Sequence, residues 1–481
     1  MVGRFIMLAF LLTVPVLGVK AQEVAVLDHM AQYNMQWTAS HPYLLEYSFR
    51  PFYRAGMIYE RGSGDFRSAF QDQQYTVTGF QSESQKAIKD WRLQGTFSYR
   101  KILDQRKPYL LQKAASPSNP FTLADGQTDS WSGDQVDFSL IALSPVWLNR
   151  FRTHALIRYQ VGSGNRNAEP RPLYRHSDLH VEIGGNFDLN DIIKIGIAGS
   201  FEQRLEENNV GAFAVQDFSL YQLRGISTFT RNTFQAFQRA QQENNLTAKA
   251  YISYSKQKDW GFLEIATGKG QYDAIDGIAF PVDAGNLELS KVNLSAGYNR
   301  ALPNGNIWQS NFSWENASSM AIDPIFKAIN YDFSQNSIKS NSALLFPDRM
   351  LRQIGINLSY VDENREETAG RDLLAFQNLE FGLATDVVIP FFSKHILWLK
   401  PSVGHRSNLS NIVQNNAVGL LKDIYDQELN YYSSTMNLVQ IQANLISPIQ
   451  NNLLNIGVNY SSEIASNASF NRISFSVGFI F

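Results

Sequence analysis

The sequence contains no cysteine among its 481 residues. Disulfide bonds and thiolate metal sites are therefore excluded, and a chain without thiols suits passage through an oxidising compartment. An excess of either charge is also missing, because 42 Lys and Arg face 44 Asp and Glu, a net charge of −2. This balance gives no electrostatic basis for a nucleic-acid partner, since nucleic-acid-binding surfaces are strongly basic.

Long apolar runs are also scarce. Mean hydropathy is −0.24, and no stretch after Ala21 is apolar over the roughly 20 residues that a transmembrane helix needs. A helical membrane protein is therefore excluded. A membrane β-barrel is not, because each strand needs only about 9–11 residues with apolar side chains on one face. Aromatic residues make up 13% of the chain, which agrees with aromatic girdles at two membrane interfaces.

The N-terminus carries the features of a secretory leader. Arg4 precedes a mainly apolar run over residues 5–19, and Val19 and Ala21 place small residues at the −3 and −1 positions of a cleavage site. The run is too short for a membrane span. We therefore expect residues 1–21 to be a signal peptide that is removed near Ala21.

The C-terminal strand alternates strictly. In an extended chain every second side chain lies on the same face, and here that face is apolar while small or polar residues occupy the other. The apolar positions are Ile473, Phe475, Val477, Phe479 and Phe481. Such an ending resembles the closing strand of bacterial outer-membrane β-barrels. The resemblance implies that Phe475, Phe479 and Phe481 form the signal read by the barrel-insertion machinery.

The same alternation recurs from about Arg54 onward, and short connections alternate with long ones. The expected long connections are residues 102–133, 162–177, 269–286, 317–336, 363–372 and 408–434. Outer-membrane barrels have short periplasmic turns and longer outer loops. The pattern therefore predicts an all-β fold, a transmembrane antiparallel β-barrel with short periplasmic turns and long outer loops.

The size of the barrel can be predicted from strand parity, by which we mean whether the odd or the even positions of a strand are apolar. Counting forward from Arg54 gives seven strands through Phe201, and counting back from Phe481 gives eleven to about Asn245. Residues 204–244 then form one large outer excursion. The total is about 18 strands, with 14 or 16 left open, because the parity of residues 337–346 is weak.

The chain divides into three parts on this interpretation. The signal peptide is followed by an N-terminal segment, residues 22–53, and by the barrel, residues 54–481. Apolar residues between Val24 and Met35 roughly fit a helical period. The segment could be a periplasmic helix, a plug in the lumen or an unstructured leader.

Charged residues on the polar parity are candidates for the lumen, because a charge in a membrane barrel needs water or a partner. Their mixed signs are compatible with a hydrated or salt-bridged interior that has no preference for anions or cations. They are equally compatible with a lumen that is plugged because these charges neutralise one another. The candidates are Arg92, Arg100, His154, Arg158, His180, Glu182, Lys194, Glu202, Glu380 and Asp386.

Two local patterns could carry chemistry. His176, Asp178 and His180 alternate along a strand and could share a face for a metal ion, although strand alternation produces such triplets by chance. His405 and Ser407 also share a face, a local similarity to outer-membrane phospholipases, which add an orienting amide from a neighbouring strand. The sequence offers no second feature for either site, so we expect no enzyme, metal or cofactor.

The segment Tyr59–Phe66, the strand from Tyr75, Asn119-Pro120-Phe121 and residues 171–178 resemble a group of uncharacterised outer-membrane β-barrels of Bacteroidota. The resemblance implies an outer-membrane location among lipid, and a channel or accessory of solute uptake that works with a partner protein. A plugged structural barrel that docks partners through its outer loops is the alternative. A lipid hydrolase is a more distant one.

Overall fold

The computed structural model describes residues 40–49, 51–211, 218–234, 236–277, 280–347, 349–392, 394–449, 452–466 and 468–480. The expected signal peptide, the helical spacing between Val24 and Met35, and Phe481 lie outside the described residues.

Nearly all of the described chain is antiparallel sheet. The strands are β1 (Phe52–Gly64), β2 (Gln74–Ile88), β3 (Trp91–Leu110), β4 (Leu123–Leu143), β5 (Phe151–Arg166), β6 (Arg171–Asp188), β7 (Ile193–Gly211), β8 (Phe218–Leu223), β9 (Phe229–Phe234), β10 (Ala236–Lys256), β11 (Asp259–Asp276), β12 (Val282–Ala301), β13 (Ile307–Ile322), β14 (Ile329–Leu345), β15 (Leu351–Glu367), β16 (Asp372–Phe391), β17 (His395–Gln414), β18 (Met436–Ile449), β19 (Asn452–Ile464) and β20 (Ser469–Ile480).

The sheet closes on itself because β1 pairs with both β2 and β20, and β7 pairs directly with β10. Strands β8 and β9 form a hairpin outside this ring, so eighteen of the twenty strands build the barrel. The predicted fold and strand number are confirmed. The excursion predicted over residues 204–244 is shorter, because β7 continues to Gly211 and β10 already begins at Ala236.

The period of two places apolar side chains outside and polar ones inside. Tyr59 lies opposite Phe475 in the β1–β20 register, and both rings are exposed. Met57 and Ile197 are 70% and 71% exposed on the same outer surface. A contiguous exposed apolar surface of this kind is the lipid-facing pattern of membrane barrels.

The expected long connections are mostly shorter in the structure. Residues 162–177 reduce to a connection over 167–170, and residues 269–286 to one over 277–281. The apolar alternation fades where both faces of a strand meet water, but the backbone hydrogen bonds continue and lengthen the strand. Four connections at this end remain long, and we call this the loop end: residues 65–73, 111–122, 212–235 and 415–435.

The opposite end, which we call the turn end, carries tight connections such as residues 89–90 and 257–258. Helices among the described residues are few: a 3-10 turn over Pro42–Leu44, α1 (Leu45–Ser48) and α2 (Leu420–Ser433). No helix among the described residues is long and apolar enough to cross a membrane.

Candidate functional site

The described residues of the four long connections, which we call the lid, fold inward and cover the loop end of the lumen. Ala69, Phe121, Ile226 and Leu421 come from four different parts of the chain and are buried in one apolar cluster. The cluster also includes inward side chains of the barrel wall, such as Phe376 on β16. Helix α2 contributes because its apolar residues recur at helical spacing on one side.

Buried carboxylates bind the parts of the lid together. Glu428 on α2 accepts a hydrogen bond from the Ala69 backbone N–H at 2.7 Å, and its other oxygen lies 3.3 Å from the Arg365 guanidinium. Glu367 accepts the backbone N–H groups of Ile226 and Ser227, each at 2.6 Å. Each carboxylate therefore satisfies backbone donors that would otherwise be buried without a partner.

The turn end of the lumen is occupied by residues 40–49, which we call the plug. The Tyr43 ring stacks on that of Tyr251 with centroids 3.7 Å apart, and burial raises the pKa of the Tyr43 hydroxyl, which stays neutral. Leu45 is completely buried against Leu143 and Leu156 of the barrel wall. These ten residues thus lie against the inner wall of the barrel, and the choice among the three interpretations of residues 22–53 stays a prediction.

Charges also hold the plug. The Glu46 carboxylate lies 2.7 Å from Arg152 and 2.6 Å from Lys194, and its backbone carbonyl accepts a hydrogen bond from Arg92 at 2.6 Å. His41 lies 3.1 Å from Glu264. Three cations of the wall thus converge on one residue of the plug.

Between the lid and the plug lies a cavity of about 1200 Å³, which we call the chamber. A second cavity of about 700 Å³ reaches the plug at Ser40 and His41, and His180 and Glu202 line both spaces. Many of the wall residues lie on the polar parity of their strands, such as Glu83 and Arg158, but apolar side chains such as Leu287 also contribute, and lid residues between Gln112 and Asn119 line the chamber as well. The chamber therefore has a mixed polar and apolar wall, with the lid on one side and the plug on the other.

The segment 111–122 crosses the lumen above the chamber. The Lys113 ammonium lies 2.7 Å from Gln160 and 2.9 Å from Asp178 of one wall. Further along the segment, the Ser118 carbonyl accepts a hydrogen bond from Ser319 on β13 at 2.6 Å. The segment is thus fixed at both of its ends.

Several opposite charges in the chamber are paired. Arg204 lies 2.6 Å from Glu202 and 3.4 Å from Glu243, and the Arg54 Nε donates to Glu83 at 2.9 Å. Six carboxylates and four Lys or Arg side chains line the chamber, so both signs are present. A surface of this kind can hydrogen-bond neutral and zwitterionic polar molecules.

The structure places the predicted lumen residues at several levels of the barrel. Arg158, His180 and Glu202 line the chamber, whereas Arg92 and Lys194 contact the plug. Glu182 is buried between His154 at 3.5 Å and Lys249 at 2.8 Å. The remaining predicted residues line smaller spaces or are buried in the wall: Arg100, Glu380 and Asp386. Their part in a solute path stays a prediction.

Three residues that bind the closures were not predicted from the sequence. Lys113, Glu46 and Glu428 lie outside the alternating strands, so parity assigns them no face. Their partners lie 65, 148 and 359 residues away. The available signal is weak: a charged residue in a segment that also contains large apolar side chains.

The structure shows the surroundings of the two sequence patterns that could carry chemistry, the His176–Asp178–His180 triplet and the His405–Ser407 pair. Asp178 is engaged by Lys113, and the part of the chain that the structure describes holds no group of three His, Cys, Asp or Glu side chains suited to a metal ion. His405 and Ser407 lie on the outward parity, opposite Phe381 and Leu379 of β16. The His405 ring hydrogen-bonds Asn437 of β18 at 2.9 Å. Phe475 and Phe479 also face outward.

Residues 42–481 match a family of unknown function (DUF6850). No curated protein matches the chain. Among solved structures it is similar to BauA, the ferric preacinetobactin receptor from Acinetobacter baumannii, at 9% identity, with 90% of this chain and 80% of that chain covered and a TM-score of 0.41. The outer-membrane transporter YddB from Escherichia coli gives 8% identity, 90% and 81% coverage and a TM-score of 0.39. The RagAB peptide transporter is 6% identical, with 86% of this chain and 61% of that chain covered and a TM-score of 0.40.

Proposed function

The chain belongs to the DUF6850 family of unknown function, and we propose that it is an outer-membrane barrel that admits a small polar solute to its chamber when the lid opens. The observation that carries this proposal is the chamber itself, a cavity of about 1200 Å³ between two closures, whose wall carries many charged and amide side chains among apolar ones. A barrel that serves only as a structural element has no need of such a space.

The outer surface supports the location. Large apolar side chains on the outward parity, such as Met57 and Ile197, are exposed over most of their area, which suits contact with hydrocarbon. The expected signal peptide and the aromatic C-terminal strand agree with export and insertion. Outer-membrane lipid and the barrel-insertion machinery are the partners that this location requires.

The size and charge of the chamber support the class of solute. Pockets for drug-sized ligands have volumes of about 300–1,000 Å³. A cavity of about 1200 Å³ is therefore large enough for a disaccharide or a short peptide, with water. Because both signs of charge line it and several of these charges are paired with one another, we propose a neutral or zwitterionic solute rather than a strongly charged one.

A plugged structural barrel that docks partners at its loop end is the second candidate. It is favoured by the apolar core of the lid, in which Leu421 and Ile424 are completely buried. If the lid never opens, the chamber is a solvent-filled space in a static protein and the loop end serves as a platform.

Swelling of liposomes in solutions of sugars and zwitterions separates the two. Ile424→Asp introduces a buried charge into the lid core and should release the lid, whereas Asp426→Asn on the exposed side of α2 should not. Solute entry that is slow in wild type and faster in Ile424→Asp supports a lidded uptake barrel. If neither protein passes any solute while both show heat-modifiable mobility in detergent, the structural barrel is favoured and our proposal is wrong.

A further inference from the structure

A hydrogen-bonded polar cluster lies on the outside of the barrel, away from the chamber. His405 of β17 faces outward and lies directly opposite Asn437 of β18 in the strand register. The His405 Nδ1 and the Asn437 Oδ1 are 2.9 Å apart. Around the pair the outward surface is apolar, because Phe381 on β16 and Val403 on β17 are both large and exposed.

The hydrogen bond orients the His405 ring. When the Asn437 Oδ1 accepts, Nδ1 is the donor, and in that tautomer the lone pair is on Nε2, the nitrogen that would act as the base. Asn437 therefore orients the ring in the way that a third residue orients the base of a nucleophile–base pair.

Ser407 supplies a hydroxyl beside this base. It lies two residues along β17 and on the same outward face, about 7 Å from His405 along the strand by the rise of roughly 3.4 Å per residue. A Ser, a His and an orienting amide on one surface are the components of a serine hydrolase site, in which asparagine is a known orienting residue.

The residue between them faces the other way. Arg406, between His405 and Ser407, points into the lumen, where its guanidinium donates to the Tyr431 carbonyl of the lid helix at 2.6 Å. Ser407, on the opposite face of the strand, is therefore presented to the outer surface. The surroundings there are apolar, including Leu409 further along β17, which is exposed.

We propose that Ser407, His405 and Asn437 form a lipid-facing esterase site that hydrolyses acyl esters of membrane lipids. The Ser407 Oγ attacks the ester carbonyl carbon while its proton passes to the His405 Nε2. The carbon–oxygen bond to the alcohol then breaks, and the departing oxygen takes that proton. Water next attacks the acyl-serine, gives a proton to His405, and releases the fatty acid as the proton returns to Ser407.

Hydrolysis of dioctanoyl phosphatidylcholine by the purified full-length protein in detergent tests this proposal. Ser407→Ala and His405→Ala should each reduce the rate by about 1000-fold or to background, since both residues act in the chemical step. Asn437→Ala should reduce it less, because Asn437 only positions the ring. Ser82→Ala is the matched control, since Ser82 is an outward serine of β2 opposite Phe97, and it should retain wild-type activity.

A fluorophosphonate probe gives a second measurement that does not depend on the choice of lipid. Wild type should be labelled on Ser407, as located by mass spectrometry of peptides, and His405→Ala should be labelled more slowly. Heat-modifiable mobility in detergent verifies that every variant is folded. Ester turnover that persists unchanged in Ser407→Ala, or a folded wild type that shows neither turnover nor labelling of Ser407, would overturn the proposal. These outcomes do not depend on whether solute enters the chamber.

Discussion

Glu428 and Ala69 are 359 residues apart in sequence, yet the Glu428 carboxylate accepts the Ala69 backbone N–H at 2.7 Å. The same carboxylate pairs with Arg365 on the barrel wall. A single side chain of α2 thus joins the first long connection, the lid helix and the barrel. It is the natural place to test whether the lid is a separable unit.

Glu428→Ala should loosen the lid without opening the barrel. Removing one partner of a buried charge pair costs about 3 kcal/mol of stability. Here the loss weakens the packing of α2 against the lid and the barrel wall. We expect faster tryptic cleavage after Lys422, which lies on the exposed side of α2. Asp426→Asn, which alters an exposed pair with Lys422, is the control and should leave the cleavage rate near that of wild type. Equal rates in Glu428→Ala and wild type would mean that Glu428 does not hold the lid.

Tyr43→Ala should release the plug. The substitution removes a buried ring that stacks on Tyr251, at an expected cost of about 3 kcal/mol. Hydrogen exchange of residues 40–49 should therefore become faster while exchange in the barrel strands is unchanged. Tyr43→Phe keeps the stacked ring and is expected to behave like wild type. Protection of the plug that survives in Tyr43→Ala would show that Glu46 and its cations hold it by themselves.

The ion pair between Lys113 of the lid and Asp178 of the wall should set the ion preference of an opened barrel. Lys113→Ala leaves Asp178 without its ammonium partner and makes the chamber wall more negative. Both substitutions, Lys113→Ala and Asp178→Asn, are made in the Ile424→Asp protein and measured in planar bilayers under a salt gradient. Lys113→Ala should move the reversal potential toward cation selectivity, and Asp178→Asn should move it toward anion selectivity. Lys86→Ala removes an outward charge on β2 and serves as the control. Identical reversal potentials in all variants would place the ion path away from Lys113.

The barrel could be predicted from the sequence because its determinants are local. Alternation with period two depends only on neighbouring residues, so the outward positions of Tyr59 and Phe475 follow from the sequence of each strand. Strand ends could not be predicted in the same way. Beyond the membrane both faces are wet, and polarity no longer distinguishes a strand such as β6 from a loop.

The closures could not be predicted, because their contacts join segments that are distant in sequence. Nothing near Glu428 indicates Ala69, and nothing near Glu46 indicates Lys194. Parity predicted which charged residues would face the lumen, but it did not predict that Lys194 would contact the plug while Glu202 would line a cavity. Likewise the pairing of His405 with Asn437 required the register of β17 and β18.

Closure between the first and last strands makes a further prediction, at Gly56. A Cβ at this position would lie 2.7 Å from the Val477 carbonyl oxygen and 2.8 Å from the Gly478 Cα, both backbone atoms of β20. Backbone cannot move aside as a flexible side chain can, so Gly56→Ala should strain the seam where the barrel closes. Gly95→Ala on β3 is the matched control, because its nearest neighbour would be 3.8 Å away, an ordinary van der Waals distance. We expect Gly56→Ala to lose the heat-modifiable gel form at a temperature several degrees lower than wild type, while Gly95→Ala keeps the wild-type value. Equal losses in the two variants would indicate that the strain is relieved along the whole sheet rather than at the β1–β20 seam.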